Sequence, residues 1–366
     1  MKFIFTCGGT GGHVSPALAI AEEIRRKNEN AEILFICRAG GSESAPVQKS
    51  GYEVKFLNVR GIERRISPKN IKSIALALSA EIKARKIISD FKPDAVIGTG
   101  GYVCWPVLHA ASAMGIPTLL HESNSVPGLV TRLLSKRVST LAVSSEECRT
   151  RLKHKDNVRI LGNPVSEMFF TASRKEARSR LNIRDSEVYI LSFGGSGGAQ
   201  KMNNVICEVI KSYSSKKPNL KHTHACGARY FKDCEGVKFN NCAVIPYIEN
   251  MPEQLAAADI VICRCGAMTL SEICAQGAAS ILIPSPNVTG NHQYYNGYAL
   301  KQRGAAILIE EKDLTEQSLK AAIDSLVKDK NKRKTLIFAT KNCADLKSRE
   351  RIAKEIIHLA KQGRST

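Results

Sequence analysis

Short apolar runs alternate with stretches whose apolar residues recur at helical spacing, and several of the runs break into glycine. The first is Phe3-Ile4-Phe5, followed by Thr6-Cys7-Gly8-Gly9-Thr10-Gly11-Gly12-His13 and then by Ala17, Leu18, Ile20, Ala21 and Ile24. This predicts a strand, a glycine turn and a helix, the opening unit of an open α/β domain. Strands are predicted next at Glu32–Cys37 and Glu53–Leu57. A helix from Pro68 to about Ser89 carries Ile71, Ile74, Ala75, Leu78 and Ile82, either to cover the sheet or to lie on an anionic surface beside Lys69, Lys72, Lys83, Arg85 and Lys86. Ala95-Val96-Ile97 runs into a second glycine turn, Gly98 to Tyr102, and strands at Pro117–Glu122 and Leu141–Ser144 follow. Such alternation predicts a parallel sheet, whose ligand sites lie at the carboxyl ends of the strands, where both turns fall.

The pattern pauses around Leu161-Gly162-Asn163-Pro164. Then Tyr189–Phe193 enters Gly194-Gly195-Ser196-Gly197-Gly198 and another helical segment, which repeats the opening of the chain. Strands are predicted at Lys221–Cys226, Ala243–Pro246, Ile260–Cys263, Ser280–Ile283 and Ala305–Ile309, with helices at Pro252–Ala258, Thr269–Gln276 and His292–Gln302. The chain therefore divides into two α/β domains of like construction, 1–163 and 164–340, with a cleft expected between their strand ends. Residues 341–366 hold an amphipathic helix with Ile352, Ile356 and Leu359 on one side, read as packing back on the first domain.

Length and composition agree with this division: 366 residues suffice for two cores, and 43% hydrophobic with 24% charged residues is ordinary for a globular chain. No apolar run approaches the ~20 residues that span a bilayer, and the start of the chain does not read as a signal peptide, so a cytoplasmic location is expected. The formal net charge of +20 asks for an acidic partner. Low aromatic content and the lack of a nucleic-acid motif point away from nucleic acid. Twelve cysteines are scattered. Neither Cys263-Arg264-Cys265 nor the set His222, His224, Cys226, Cys234 and Cys242 has zinc-finger spacing, so reduced thiols and no metal site are expected.

A glycine turn after a strand brings bare backbone N–H groups to an anion. None of the three turns carries the dinucleotide fingerprint: from Gly9 and Gly11 the next glycine is replaced by Val14, and Cys37-Arg38 stands where a ribose carboxylate belongs. None carries the lysine and hydroxyl pair of an ATP loop, since His13-Val14 and Ala199-Gln200 follow the glycines. The chain also lacks an Asp-x-Asp pair, so a pyrophosphate must be neutralised by backbone amides, helix dipoles and cations, without a cofactor. The densest chemistry runs from Cys263 to Glu272 and from Asn291 to Asn296. There Glu272 either complements a helix N-terminus or accepts hydrogen bonds from a ribose diol, and the Gln293 amide suits sugar hydroxyls.

With those residues in view, the sequence resembles the MurG family of undecaprenyldiphospho-muramoylpentapeptide β-N-acetylglucosaminyltransferases over nearly its whole length. The resemblance rests on the first turn through His13, the second through Tyr102, His121-Glu122-Ser123-Asn124 with Pro127-Gly128-Leu129, and Gly162-Asn163-Pro164-Val165. It continues through Gly194-Gly195-Ser196, Arg264-Cys265-Gly266-Ala267 with Glu272, and His292-Gln293 with Asn296. It implies the GT-B fold, two Rossmann-like domains with parallel sheets facing across a cleft. It further implies inverting transfer of N-acetylglucosamine from UDP-N-acetylglucosamine to the 4-hydroxyl of the muramoyl unit of lipid I, forming lipid II. The implied place of work is the cytoplasmic face of the bacterial membrane, held peripherally to an anionic surface.

The implied donor positions are Ser196 at the phosphates, the Ile248 backbone at the uracil, Glu272 at the ribose and Gln293 at the sugar, with Thr10, Gly11, Gly12, His13, Asn124 and Ser166 towards the donor from the first domain. Gly9, Thr10, Gly11, Gly12, Gly100, Gly101 and Tyr102 are implied at the acceptor pyrophosphate, and His13 is the candidate base. Three positions depart from the family pattern: Ser123 for a usual glutamine, and Gln200 and Ser166 for arginines. The competing readings are another GT-B transferase that glycosylates diacylglycerol, a UDP-N-acetylglucosamine 2-epimerase, and a basic protein whose turns bind nucleic-acid phosphates.

Overall fold

A computed structural model describes residues 1–9, 11–41, 44–61 and 68–363, side chains 68–72 excepted. The chain forms two compact units, one of residues 1–166 with 347–366, the other of residues 167–346.

The first unit holds a parallel sheet of β1 (Lys2–Thr6), β2 (Glu32–Arg38), β3 (Glu53–Leu57), β4 (Ala95–Gly98), β5 (Thr118–Glu122), β6 (Thr140–Val143) and β7 (Val158–Ile160). Its strand order is β3-β2-β1-β4-β5-β6-β7. Side chains of a strand alternate between faces, so β1 sends Phe3 and Phe5 to one core and Ile4 to the other. The Phe3 face is covered by the helix Gly11–Lys27 and by the helix Ser348–Gln362, which buries Ile352, Ala353, Ile356 and Ala360 there. Glu23, 1% exposed, joins the two helices by accepting from Arg26 at 2.8 Å and meeting Arg349 at 3.4 Å.

The opposite face is covered by the helices Pro68–Phe91 and Cys104–Ala113. Here the structure corrects a sequence expectation. Ala80, Ala84 and Ile88 are the buried apolar residues among the described side chains of the first of these, whereas Ile74, Leu78 and Ile82, one turn apart, are 50%, 53% and 72% exposed. The apolar stripe that the sequence offers as a sheet-covering face is largely solvent-facing; Ile71, Lys69 and Lys72 lie outside the described side chains.

The second unit repeats the plan with β8 (Val188–Phe193), β9 (Leu220–Ala225), β10 (Cys242–Ile245), β11 (Ile260–Cys263), β12 (Ala279–Leu282) and β13 (Ala306–Leu308). All pairs are parallel, in the order β10-β9-β8-β11-β12-β13. In both units the first strand lies inside the sheet, and the order reverses between it and its fourth. Those switch points, β1/β4 and β8/β11, are where open sheets of this kind leave a crevice for ligands. Ser192, His222 and His224 form a buried polar knot in β8 and β9, with the Ser192 hydroxyl 2.9 Å from a ring nitrogen of each histidine. The twelve cysteines are free thiols, eleven of them buried.

Candidate functional site

In the first unit both glycine turns flank the β1/β4 switch point and are stitched together. The Gly8 N–H donates to the Gly100 carbonyl at 3.1 Å, and the Thr99 N–H donates to the Thr6 carbonyl at 3.1 Å. Glycine is required at 100 and 101, where φ is +117° and +90°. A Cβ at Gly101 would come within 2.0 Å of the Gly8 oxygen, and one at Gly100 within 2.2 Å of His13 Nδ1. The helix starts at Gly11 with no acidic residue in its first turn, so the Gly11, Gly12 and His13 N–H groups belong to its electropositive end.

His13 Nδ1 stands 3.2 Å from the Thr99 carbonyl oxygen. A carbonyl only accepts, so Nδ1 carries a proton, which in the neutral ring leaves the lone pair on Nε2, the tautomer of a base. Gly9, Gly11, Gly12, His13, Gly100 and Gly101 thus form one cluster. Tyr102 adjoins it, 46% exposed, with its ring against Gly61. Thr10 lies outside the described residues.

Asn124 follows β5, the neighbour of β4. Its backbone N–H and its Nδ2 both donate to Glu122 Oε1, at 3.1 and 3.0 Å. The other oxygen of this buried carboxylate accepts from the Gly128 N–H at 2.9 Å and the Thr131 hydroxyl at 2.7 Å. Four donors on one carboxylate fix the loop that carries Asn124. Beside it, His121 is fully enclosed and burial pushes its pKa down. Its Nε2 donates to the Gly162 carbonyl at 3.0 Å, so Nδ1 accepts, and the Ser123 hydroxyl is 3.4 Å from it. Ser166 is apart from this cluster: its hydroxyl donates to Glu22 at 3.4 Å on the flank of the first helix.

In the second unit the turn Gly194–Gly198 and the segment Arg264-Cys265-Gly266 flank the β8/β11 switch point in the same way. Ser196 is exposed in the turn that precedes the helix Gln200–Ser212. Glu272 lies in the second turn of the helix Ala267–Gln276, whose first turn holds no acid. The helix-end field falls off within the first turn, so dipole complementation is the weaker account of a half-buried carboxylate there.

Gln293 Oε1 accepts from the Cys265 N–H at 3.2 Å and the Ser285 N–H at 2.9 Å. Two backbone donors on one atom identify it as the carbonyl oxygen, which leaves the NH2 group for a sugar hydroxyl. Asn296 Nδ2 donates to the Cys265 carbonyl at 3.2 Å. Ile248 is 5% exposed just beyond edge strand β10. His292 is engaged with the Thr289 carbonyl at 2.9 Å.

Two features escape sequence reasoning. One is the fourfold role of Glu122, which depends on residues brought together only by the fold. The other is Arg264, which bonds to the Glu311 carboxylate and donates to the Ile283 and Pro284 carbonyls at 3.2 and 3.3 Å. Glu311 lies in the charged run Glu310-Glu311-Lys312-Asp313, and nothing in the residue order pairs it with Arg264. Among the described residues no cluster of His, Cys, Asp and Glu could hold a metal ion, and no helix is long and apolar enough to cross a membrane.

Residues 3–143 match the glycosyltransferase family 28 N-terminal domain and residues 189–356 the family's C-terminal domain. A UDP-N-acetylglucosamine–N-acetylmuramyl-(pentapeptide) pyrophosphoryl-undecaprenol N-acetylglucosamine transferase of Acetivibrio thermocellus is 42% identical over 96% of each chain. The protein of that name from Alkaliphilus metalliredigens is 39% identical over 99% of this chain and 100% of its own. Among solved structures, Acinetobacter baumannii MurG superposes with a TM-score of 0.73 at 24% identity, covering 98% of this chain and 99% of that one. A UDP-GlcNAc 2-epimerase from Neisseria meningitidis bound to UDP-GlcNAc gives 0.67 at 15% identity, covering 98% and 100%, a likeness of fold alone. With two Rossmann-like units, a glycine turn at each switch point and relatives of this identity over the full length, the chain belongs to the MurG family of glycosyltransferase family 28.

Proposed function

We propose that the first unit of this transferase holds the lipid-linked acceptor and the second holds the sugar donor. The reaction is that of the family: N-acetylglucosamine passes from UDP-N-acetylglucosamine to lipid I, giving lipid II. The 4-hydroxyl oxygen of the muramoyl unit forms the new bond to the glucosamine C1. The C1–O bond to the diphosphate breaks, its electron pair leaves on UDP, and the hydroxyl proton goes to a base.

The observation that carries this reading is the pairing of His13 with Thr99. It places the His13 imidazole, its Nδ1 turned to a carbonyl, in the first turn of a helix whose N-terminal end carries no acid, so a candidate base and a candidate pyrophosphate site adjoin. Gly9, Gly11, Gly12, Gly100, Gly101 and Tyr102 would meet the acceptor pyrophosphate, with Asn124 held by Glu122 nearby. In the second unit Ser196 would meet the donor phosphates, the Ile248 backbone the uracil, Glu272 the ribose and the Gln293 NH2 group the sugar. The exposed stripe Ile74, Leu78 and Ile82, with Lys83 and Lys86 on the same helix, would rest on an anionic bilayer at its cytoplasmic face, where a lipid-borne acceptor is found.

The test is an acceptor panel with labelled UDP-N-acetylglucosamine. Label should pass to lipid I, none to diacylglycerol, and donor alone should neither hydrolyse nor epimerise. Transfer to diacylglycerol, or epimerisation without acceptor, would overturn the reading.

A further inference from the structure

A leaving diphosphate gains charge as the C1–O bond breaks, and a cation already in place there stabilises the transition state more than the ground state. Ser166 of the first unit and Gln200 at the start of the helix after the Gly194–Gly198 turn carry no charge, so a cation at the donor phosphates is sought among the other residues of the second unit. Arg264 lies at the β8/β11 switch point but is spent: the Glu311 carboxylate neutralises it, two carbonyls take its remaining fork, and the two side chains are 11% and 14% exposed.

Two other cations stand next to the turn Gly194–Gly198. Lys201 is in the first turn of the helix that the turn opens, exposed, with its Nζ donating to the Glu311 backbone carbonyl at 2.5 Å. That acceptor is neutral, so the ammonium is held without its charge being cancelled. Arg229 follows β9, exposed, with its guanidinium 5.5 Å from the centre of the Tyr230 ring. Its segment is pressed on the glycine turn. A Cβ at Gly198 would lie 2.2 Å from the Cys226 oxygen and 2.7 Å from Tyr230 Cδ2, and one at Gly227 would lie 2.7 Å from the Gly198 backbone.

We infer that Lys201 and Arg229, carried on two elements that meet at the Gly194–Gly198 turn, are the cations that take up the charge of the departing nucleoside diphosphate. The inference deepens the reading of the second unit as the donor unit and rests on it. Lys201 is a catalytic residue on this account, since its ammonium leaves a carbonyl to meet phosphate oxygen, and Arg229 offers a planar fork for two of those oxygens.

The experiment compares UDP and uridine binding by calorimetry, with steady-state turnover, for the full chain and for Lys201→Gln, Arg229→Gln and Lys201→Arg. Each charge-removing variant should weaken UDP about tenfold or more while uridine binding stays unchanged, and kcat should fall by a similar factor. Lys201→Arg should restore most of both. Both sites are exposed, and an unchanged circular dichroism spectrum excludes misfolding as the cause. UDP affinity and kcat at the parent level in both Gln variants would overturn the assignment. Glu272→Ala separates the two levels. If it weakens UDP and uridine alike while the Gln variants bind UDP normally, the cation assignment alone fails. If it alters neither ligand, the donor reading fails and the assignment falls with it.

Discussion

His13 and Thr99 hold each other by two bonds: the imidazole Nδ1 meets the Thr99 carbonyl at 3.2 Å, and the Thr99 hydroxyl donates to the His13 carbonyl at 2.6 Å. The first bond sets the tautomer and the second fixes the backbone that carries the ring. Replacing the base should therefore remove chemistry and leave the donor untouched. His13→Ala is expected to lower kcat about 100-fold or more while the dissociation constant of UDP-N-acetylglucosamine stays within about twofold. Turnover near the parent level would remove His13 from the proton transfer.

Gly100→Ala should reproduce that defect from a position with no side chain of its own. A methyl group there meets His13 Nδ1 at 2.2 Å, and φ of +117° is strained for any L residue. Gly115→Ala is the control for backbone strain alone, with φ of +72° and open space around the new atom. The first variant should approach the turnover of His13→Ala, and the second should keep near-parent kcat with a small loss of stability. Equal behaviour of the two would show that the stitched turns do not position the ring.

Much of this was legible in the residue pattern, for a physical reason. A strand that ends in glycine and resumes as a helix is encoded locally, so Gly8–His13, Gly98–Tyr102 and Gly194–Gly198 stand out without knowledge of the fold. The edge strand Val158–Ile160 did not, because three residues, one half-buried and two exposed, leave no alternation to read. The hydrogen bonds of Glu122, the bond of Arg264 to Glu311 and the depth of Glu272 in its helix depend on tertiary placement, which periodicity does not carry. The helix Pro68–Phe91 misleads for the same reason. The large residues Ile74, Leu78 and Ile82 are exposed, and the sheet is covered by the small residues Ala80 and Ala84 with Ile88, Ile87 and Phe91 beside them.

Glu272 is testable by its partner. If the carboxylate accepts from the ribose diol, the parent enzyme should bind 2′-deoxy-UDP-N-acetylglucosamine about tenfold more weakly than the donor, as expected for loss of one hydrogen bond to a charged group. In Glu272→Ala the two nucleotides should bind equally, since the coupled groups form one interaction. An undiminished preference for the ribose form in the variant would assign Glu272 another role.

The buried pair His222 and His224 makes the second unit sensitive to acid. Burial is the main cause that pushes His222 down to about 3 and His224 to about 4, below the ~6.5 of an unfolded histidine. The unfolded chain therefore binds more protons below pH 6.5, and the stability due to the neutral rings is complete above that and lost as pH falls towards the folded values. Each ring should cost about 2 kcal/mol at pH 5 relative to neutral pH. Hydrogen exchange of β8 and β9 amides, corrected for intrinsic rates, should show this loss between pH 7.5 and pH 5. Constant opening free energies would mean the rings are not held neutral.

The stripe Ile74, Leu78 and Ile82 offers the clearest test of membrane contact. Three apolar side chains, each at least half exposed and four residues apart, sit on a helix that also carries Lys83 and Lys86. Inserting them in an interface is worth roughly 1 kcal/mol or more apiece, and basic neighbours add about as much per charge on an anionic surface. The parent chain should float with phosphatidylglycerol vesicles at low salt, less with phosphatidylcholine, and less again in 0.5 M salt (about 4 Å Debye length), where screening cuts the electrostatic part. Replacing the three residues with serine should lower vesicle affinity more than tenfold. Turnover on a short-chain, soluble acceptor should stay unchanged, because none of the three lies in the glycine-turn cluster. Equal flotation of the triple variant and its parent would assign the contact to another surface.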